Sequence, residues 1–104
     1  MAQWRRGSTP TNVFNVNIDL TGATIYITYK QGSKIIVEKT GTAIQVEQNR
    51  LTTSLTQEET LRFAPGPVKV QIRYVRPDGF ADASNIIETR ADEILKDGEI
   101  RYGV

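Results

Sequence analysis

"SLTQEETLRFAPG", residues 54–66, followed by "PVKVQIRY", residues 67–74, is the passage that decides the fold. Thr56 stands three residues before Glu59, the spacing of a capping box. In that motif the cap hydroxyl takes the N3 amide proton, and the N3 carboxylate reaches back to the cap amide. Glu58 adds negative charge to the first turn, where the helix dipole favours it. Pro65-Gly66-Pro67 forbids continuation. The stretch therefore reads as a helix of one to two turns, with Leu61 and Phe63 placed to return apolar groups to the sheet edges. Immediately after it, Val68, Val70, Ile72 and Tyr74 alternate with Lys69, Gln71 and Arg73. That is the period of a strand with one buried face. A short helix thus bridges strands.

The same alternation extends upstream. Residues 1–11 read as a flexible lead, since Gly7, Ser8, Thr9 and Pro10 spoil any regular element. From Asn12, Phe14, Val16, Ile18 and Leu20 point one way, while Val13, Asn15, Asn17 and Asp19 point the other. Thr21-Gly22 turns the chain into a strand with Ile25, Ile27 and Tyr29 on its apolar side. "KQGSK", residues 30–34, is a hairpin connection in which Gly32 supplies positive φ. Lys34–Lys39 returns, with Ile35 and Val37 on one face and Ile36 on the other. Ala43–Gln48 alternates through Ile44 and Val46, Asn49-Arg50 makes a corner, and Leu51, Thr53 and Leu55 form another short strand.

Downstream, "RPDGF", residues 76–80, is a type I turn signal. A last strand spans Phe80–Thr89, and its alternation slips over Ser84–Ile87 as a β-bulge would make it. After Arg90 two readings stay open: a helical turn over Asp92–Lys96, or a continuing strand. About seven short strands with one short helix between them predict an all-β, immunoglobulin-like antiparallel β-sandwich. Residues 12–104 form its single domain. The expected core is Phe14, Val16, Ile18, Ile25, Ile27, Ile44, Val46, Leu55, Leu61, Val68, Val70 and Ile72.

Composition then limits the function. Thirteen basic and twelve acidic residues leave a formal charge of +1, and only Arg5-Arg6 cluster. Nucleic-acid binding needs grouped cations to neutralise phosphates, so no nucleic-acid partner is expected. The chain has no Cys and no His. It thereby lacks a thiolate, the usual general base near neutral pH and the commonest metal ligand. The charges at the N-terminus lead into no apolar run, and no window approaches the roughly 18 apolar residues of a membrane span. A secretory signal and a membrane partner are accordingly not expected.

Several constellations invite a chemical reading and fail it. Glu58 and Glu59 are sequence neighbours, and neighbours on a helix diverge by about 100°, so they do not face one substrate. Capping explains Glu59 better, and by that account Glu59→Gln is nearly neutral while Thr56→Ala costs about 1 kcal/mol. Tyr26, Tyr29, Tyr74 and Tyr102, with Trp4, could form a sugar-stacking platform, although strand tyrosines are more often half-buried packing. Asp78, Asp82 and Glu88 lack the dense alternation of oxygen ligands of a calcium loop. Ser54 and Ser84 have no His to activate them, and Gly98 and Gly103 belong to no phosphate-binding pattern. No catalytic, cofactor or metal residue is assigned, and the chain is read as no enzyme.

Longer stretches carry a family resemblance. "RGSTPTNVFNVNIDLTGATIYITYKQGSKII" and "LTTSLTQEETLRFAPGPVKVQIRYVRPDGFADASNIIETRADEILKDGEI" resemble small phage and prophage proteins of Gram-positive bacteria. The core is similar to the N-terminal immunoglobulin-like domain of siphophage upper baseplate proteins. The matching residues are Leu20-Thr21-Gly22-Ala23, Leu55–Thr60, Gly66 and Asp78-Gly79. The resemblance implies a non-enzymatic structural or assembly protein of a tail or baseplate. It would lie in the virion or the host cytoplasm and act by contact with phage structural proteins, a homo-oligomer being one form of such contact. The alternative is a carbohydrate- or cell-surface-binding β-sandwich module.

Overall fold

A computed structural model describes residues 2–103. It contains nine strands and one α-helix: β1 (Trp4–Arg5), β2 (Thr11–Asn15), β3 (Thr24–Gln31), β4 (Lys34–Thr40), β5 (Gln45–Glu47), β6 (Arg50–Ser54), α1 (Gln57–Leu61), β7 (Gly66–Val75), β8 (Ala81–Ala83) and β9 (Ile87–Asp92). The larger sheet has the order β1-β9-β7-β3-β4, with β8 also on β7, and the smaller is β2-β6-β5. The protein is an immunoglobulin-like β-sandwich. All pairs are antiparallel except β1 with β9, where Trp4 lies beside Ala91.

Between the sheets lie Phe14, Leu20, Ile25, Ile27, Leu51, Leu55, Val68, Val70 and Ile72, all buried. Val16, Ile18 and Leu61 are half-buried at its margin. Val46 departs from the expected core: it is 37% exposed, because β5 is an edge strand with nothing on its far side. The corner after β5 also falls one residue early. Glu47 pairs with Arg50, so Gln48-Asn49 makes the turn, with Gln48 at φ 57°.

The segment expected as a flexible lead is built into the sandwich. Trp4 is 5% exposed and meets Tyr29 and Phe63 edge-on, at ring-centroid distances of 6.0 and 5.5 Å. Aromatic pairs of this geometry add about 0.5–1.5 kcal/mol beyond their buried area. Arg6 ties the same segment to the helix end, donating from Nε to the Phe63 carbonyl at 2.7 Å and from Nη2 to the Leu61 carbonyl at 3.0 Å. Gly7-Ser8 break the strand without freeing the chain. Thr60 reaches from α1 to donate its hydroxyl to the Ser8 carbonyl at 2.8 Å.

Two bulges shape the larger sheet. Between the pairs Val70–Ile87 and Arg73–Ala83, Gln71 and Ile72 face three residues, Ser84, Asn85 and Ile86. This is the slip expected from the sequence, and Ser84 fills it: its Oγ accepts from the Ile72 amide at 3.0 Å. The second bulge lies in the β3–β4 hairpin. Tyr29 pairs with Val37 but Lys30 with Ile35, so Ile36 is the extra residue. The inserted residue separates the sides of Ile35 and Val37: Val37 is buried, whereas Ile35 is 61% exposed on the outer face. After β9 the chain runs through turns to Gly103 without the helical turn considered for Asp92–Lys96.

Candidate functional site

The capping box forms as the sequence requires. Thr56 Oγ1 accepts from the Glu59 amide at 3.1 Å, and Glu59 Oε1 accepts from the Thr56 amide at 2.9 Å. Glu59 Oε1 also receives the Lys39 ammonium at 2.7 Å, with side-chain exposures of 12% for Lys39 and 17% for Glu59. Glu58 instead pairs with Arg62 one turn on, at 2.7 Å. The two carboxylates face different partners. Burial pushes the Glu59 carboxyl up, but the Lys39 and Thr56 hydrogen bonds and the Lys39 charge outweigh it and hold the carboxyl below its ordinary range. The Lys39 contact corrects the expectation that Glu59→Gln is neutral, because the change strips a half-buried ammonium of its counter-charge.

The tyrosines do not gather into a platform. Tyr29 and Trp4 lie in the core, and Asn12, buried on β2, donates to the Tyr29 hydroxyl at 2.8 Å. Burial, opposed by that bond and aided by the Glu59 charge, pushes the Tyr29 phenol up to about 12. Tyr74 packs against Phe80, Tyr26 stands on the outer face of the larger sheet, and Tyr102 is solvent-exposed in the segment after β9. Asp78 is engaged by Arg76 at 2.7 Å and by the Phe80 amide at 3.0 Å. Asp82 accepts from the Ala83 amide, and Glu88 lies opposite Lys69. Among the described residues no group of three or more Asp or Glu is placed to hold a metal. Ser54 is hydrogen-bonded with Thr11, and Ser84 belongs to the bulge.

The outer face of the larger sheet is where side chains remain uncommitted. Strand register arranges it in rows. One row reads Glu88, Lys69, Lys30, Ile35 across β9, β7, β3 and β4. The next reads Gln71, Thr28, Glu38, and the third Ala83, Arg73, Tyr26, Thr40. Apart from Glu88, Ala83 and Thr40 at their ends, these rows line a shallow groove of about 680 Å³, to which Val75 and Ile86 add apolar surface. Tyr26, Ile35, Val75 and Ile86 are all exposed. Lys30 and Lys69 are direct cross-strand neighbours, an arrangement of like charges that destabilises a sheet. Among the described residues Lys30, Lys69 and Arg73 form no ion pair. Glu38, the carboxylate in the groove, accepts a hydrogen bond from Thr28 at 3.0 Å. The groove can therefore receive a partner that is apolar and acidic together. Sequence reasoning saw Val68–Tyr74 as amphipathic but not this face, since neither the pairing of Lys30 with Lys69 nor the outward turn of Ile35 is local.

A solved structure shares this architecture. The crystal structure of CopC from Methylosinus trichosporium OB3b matches with a TM-score of 0.54 and 17% identity, over 94% of this chain and 91% of that one. At that identity the likeness shows the fold alone. No family model and no curated protein matches the chain.

Proposed function

We propose that the protein is a non-enzymatic assembly module that works by protein–protein contact through the outer face of its larger sheet. The observation that carries this is the groove itself, with exposed Tyr26, Ile35, Val75 and Ile86 set among Lys30, Lys69 and Arg73. Contiguous exposed apolar surface edged by polar groups is the ordinary mark of an interaction site. The setting in a phage or prophage tail rests on the sequence resemblance. The carbohydrate-module reading has less support, because Trp4 and Tyr29 lie in the core.

The test pairs the purified protein with the purified products of adjacent genes, tail components in particular, and follows binding by sedimentation velocity. Wild type is expected to form a complex that Ile35→Lys weakens at least tenfold. Ile35 is exposed, so the fold should survive the change. A complex equally stable with Ile35→Lys would place the contact elsewhere and overturn the assignment of this face.

A further inference from the structure

The segment after β9 combines uncovered apolar side chains with a slight excess of acidic over basic residues. Leu95 is 103% exposed and Tyr102 105%, with Ile100 also uncovered. Between and beside them, residues 93–103 carry Glu93, Asp97 and Glu99 against Lys96 and Arg101. The groove carries three cations against the carboxylate of Glu38, with Glu88 beside Lys69 at its edge. The segment is held in place within its own molecule. Gln57 on α1 both donates to the Ile100 carbonyl and accepts from its amide, at 3.0 Å each. Arg6 holds Asp97 at 3.3 Å. None of these anchors lines the groove. A face-to-face pairing of two grooves would bring two faces with a net positive charge together, which like-charge repulsion disfavours.

From this we infer that the groove receives residues 93–103 of a second copy of the chain. Leu95 and Tyr102 cover Ile35, Val75 and Ile86, while Glu99 approaches the Lys30–Lys69 pair. The inference rests on the outer face being a protein-docking surface. Such a contact joins two different patches, so it is heterologous. Repeated, it generates a ring if the rotation closes and a filament if it does not.

Two variants isolate the two halves. Lys30→Glu/Arg73→Glu reverses the groove charge, and the new Glu opposite Lys69 replaces a repulsive cross-strand pair with a favourable one. Leu95→Ser/Tyr102→Ser removes apolar groups that touch nothing within the fold. Thermal melts should leave both within a few degrees of wild type. In light scattering over a concentration series, wild type is expected to rise in mass continuously, and each variant alone to remain a monomer. Mixed one to one, the variants should form a dimer and grow no further, because each supplies one intact half of the contact. A monomeric wild type at high concentration would overturn the inference, as would variants that fail to complement. If such a monomer still bound a tail protein through the Ile35 face, self-docking alone would fall. Loss of both self-association and Ile35-dependent binding would remove the assembly reading as well.

Discussion

Replacing Glu59 by Gln removes a charge and keeps an oxygen that can accept from the Thr56 amide, so it separates the cap from the ion pair. Loss of the cap alone, by Thr56→Ala, is worth about 1 kcal/mol. Hydrogen bonds to charged groups contribute about 1.5–3 kcal/mol, against about 0.5–1.5 for neutral ones. Lys39 keeps a neutral acceptor after the change, so Glu59→Gln should cost about 1–1.5 kcal/mol, the difference between those ranges. Urea denaturation at neutral pH reads both values. A double-mutant cycle with Lys39→Met should return a coupling of at least about 0.5 kcal/mol, as for residues in direct contact. The pH dependence adds an independent check. Glu59 is held below its ordinary range in the fold, so the unfolded chain binds its proton first. Its contribution is present above the ordinary carboxyl range and is lost as pH falls through the depressed folded value. The gap between wild type and Glu59→Gln should therefore close in acid. Equal stability of Glu59→Gln and wild type at neutral pH, with no coupling to Lys39, would show that the pair contributes nothing to the fold.

Three further outcomes follow. Ile72→Ala should lose about 2–5 kcal/mol in chemical denaturation, since Ile72 is buried between the sheets; an unchanged midpoint would mean the face assignment is inverted. Trp4→Ala should lose about 3–5 kcal/mol, because a buried ring of the aromatic triad is removed; a loss within about 0.5 kcal/mol would return residues 1–11 to the status of a loose lead. In an ultraviolet titration Tyr29 should ionise near 12, later than an ordinary phenol. A raised phenol stabilises the fold below the unfolded value and loses that contribution as pH rises through the folded one, so Tyr29→Phe should flatten the alkaline fall in stability. A phenol at Tyr29 that ionises near 10 would contradict its burial.

What was legible in the sequence was local. Val68–Tyr74 announces a strand through period-2 alternation, as does Asn12–Leu20, although β2 ends at Asn15 and Val16–Leu20 carry the alternation on as irregular chain. Thr56 with Glu59 announces the helix start, because the cap is formed by residues three apart. The slip at Ser84–Ile87 was visible because it breaks an alternation in progress. The run Lys34-Ile35-Ile36-Val37 offered no such cue: three consecutive β-branched residues read equally well in either register, and only pairing with β3 fixes Ile36 as the bulge. Trp4 was misplaced because Gly7–Pro10 spoil local structure, while what holds the segment is the distant β9, Phe63 and Leu61. The candidate site was hidden for the same reason. Lys30 and Lys69 become neighbours only when β3 pairs with β7, and a residue list carries no record of that register.

The outer face is tested most directly by amide NMR spectra recorded through a dilution series. Residues of the groove, among them Tyr26, Lys30, Ile35 and Arg73, should shift or broaden together with residues 93–103 as concentration rises. The buried strand positions of the smaller sheet, such as Leu51 and Thr53, should stay fixed. Spectra that do not change with concentration, or changes confined to β2, β5 and β6, would contradict the account.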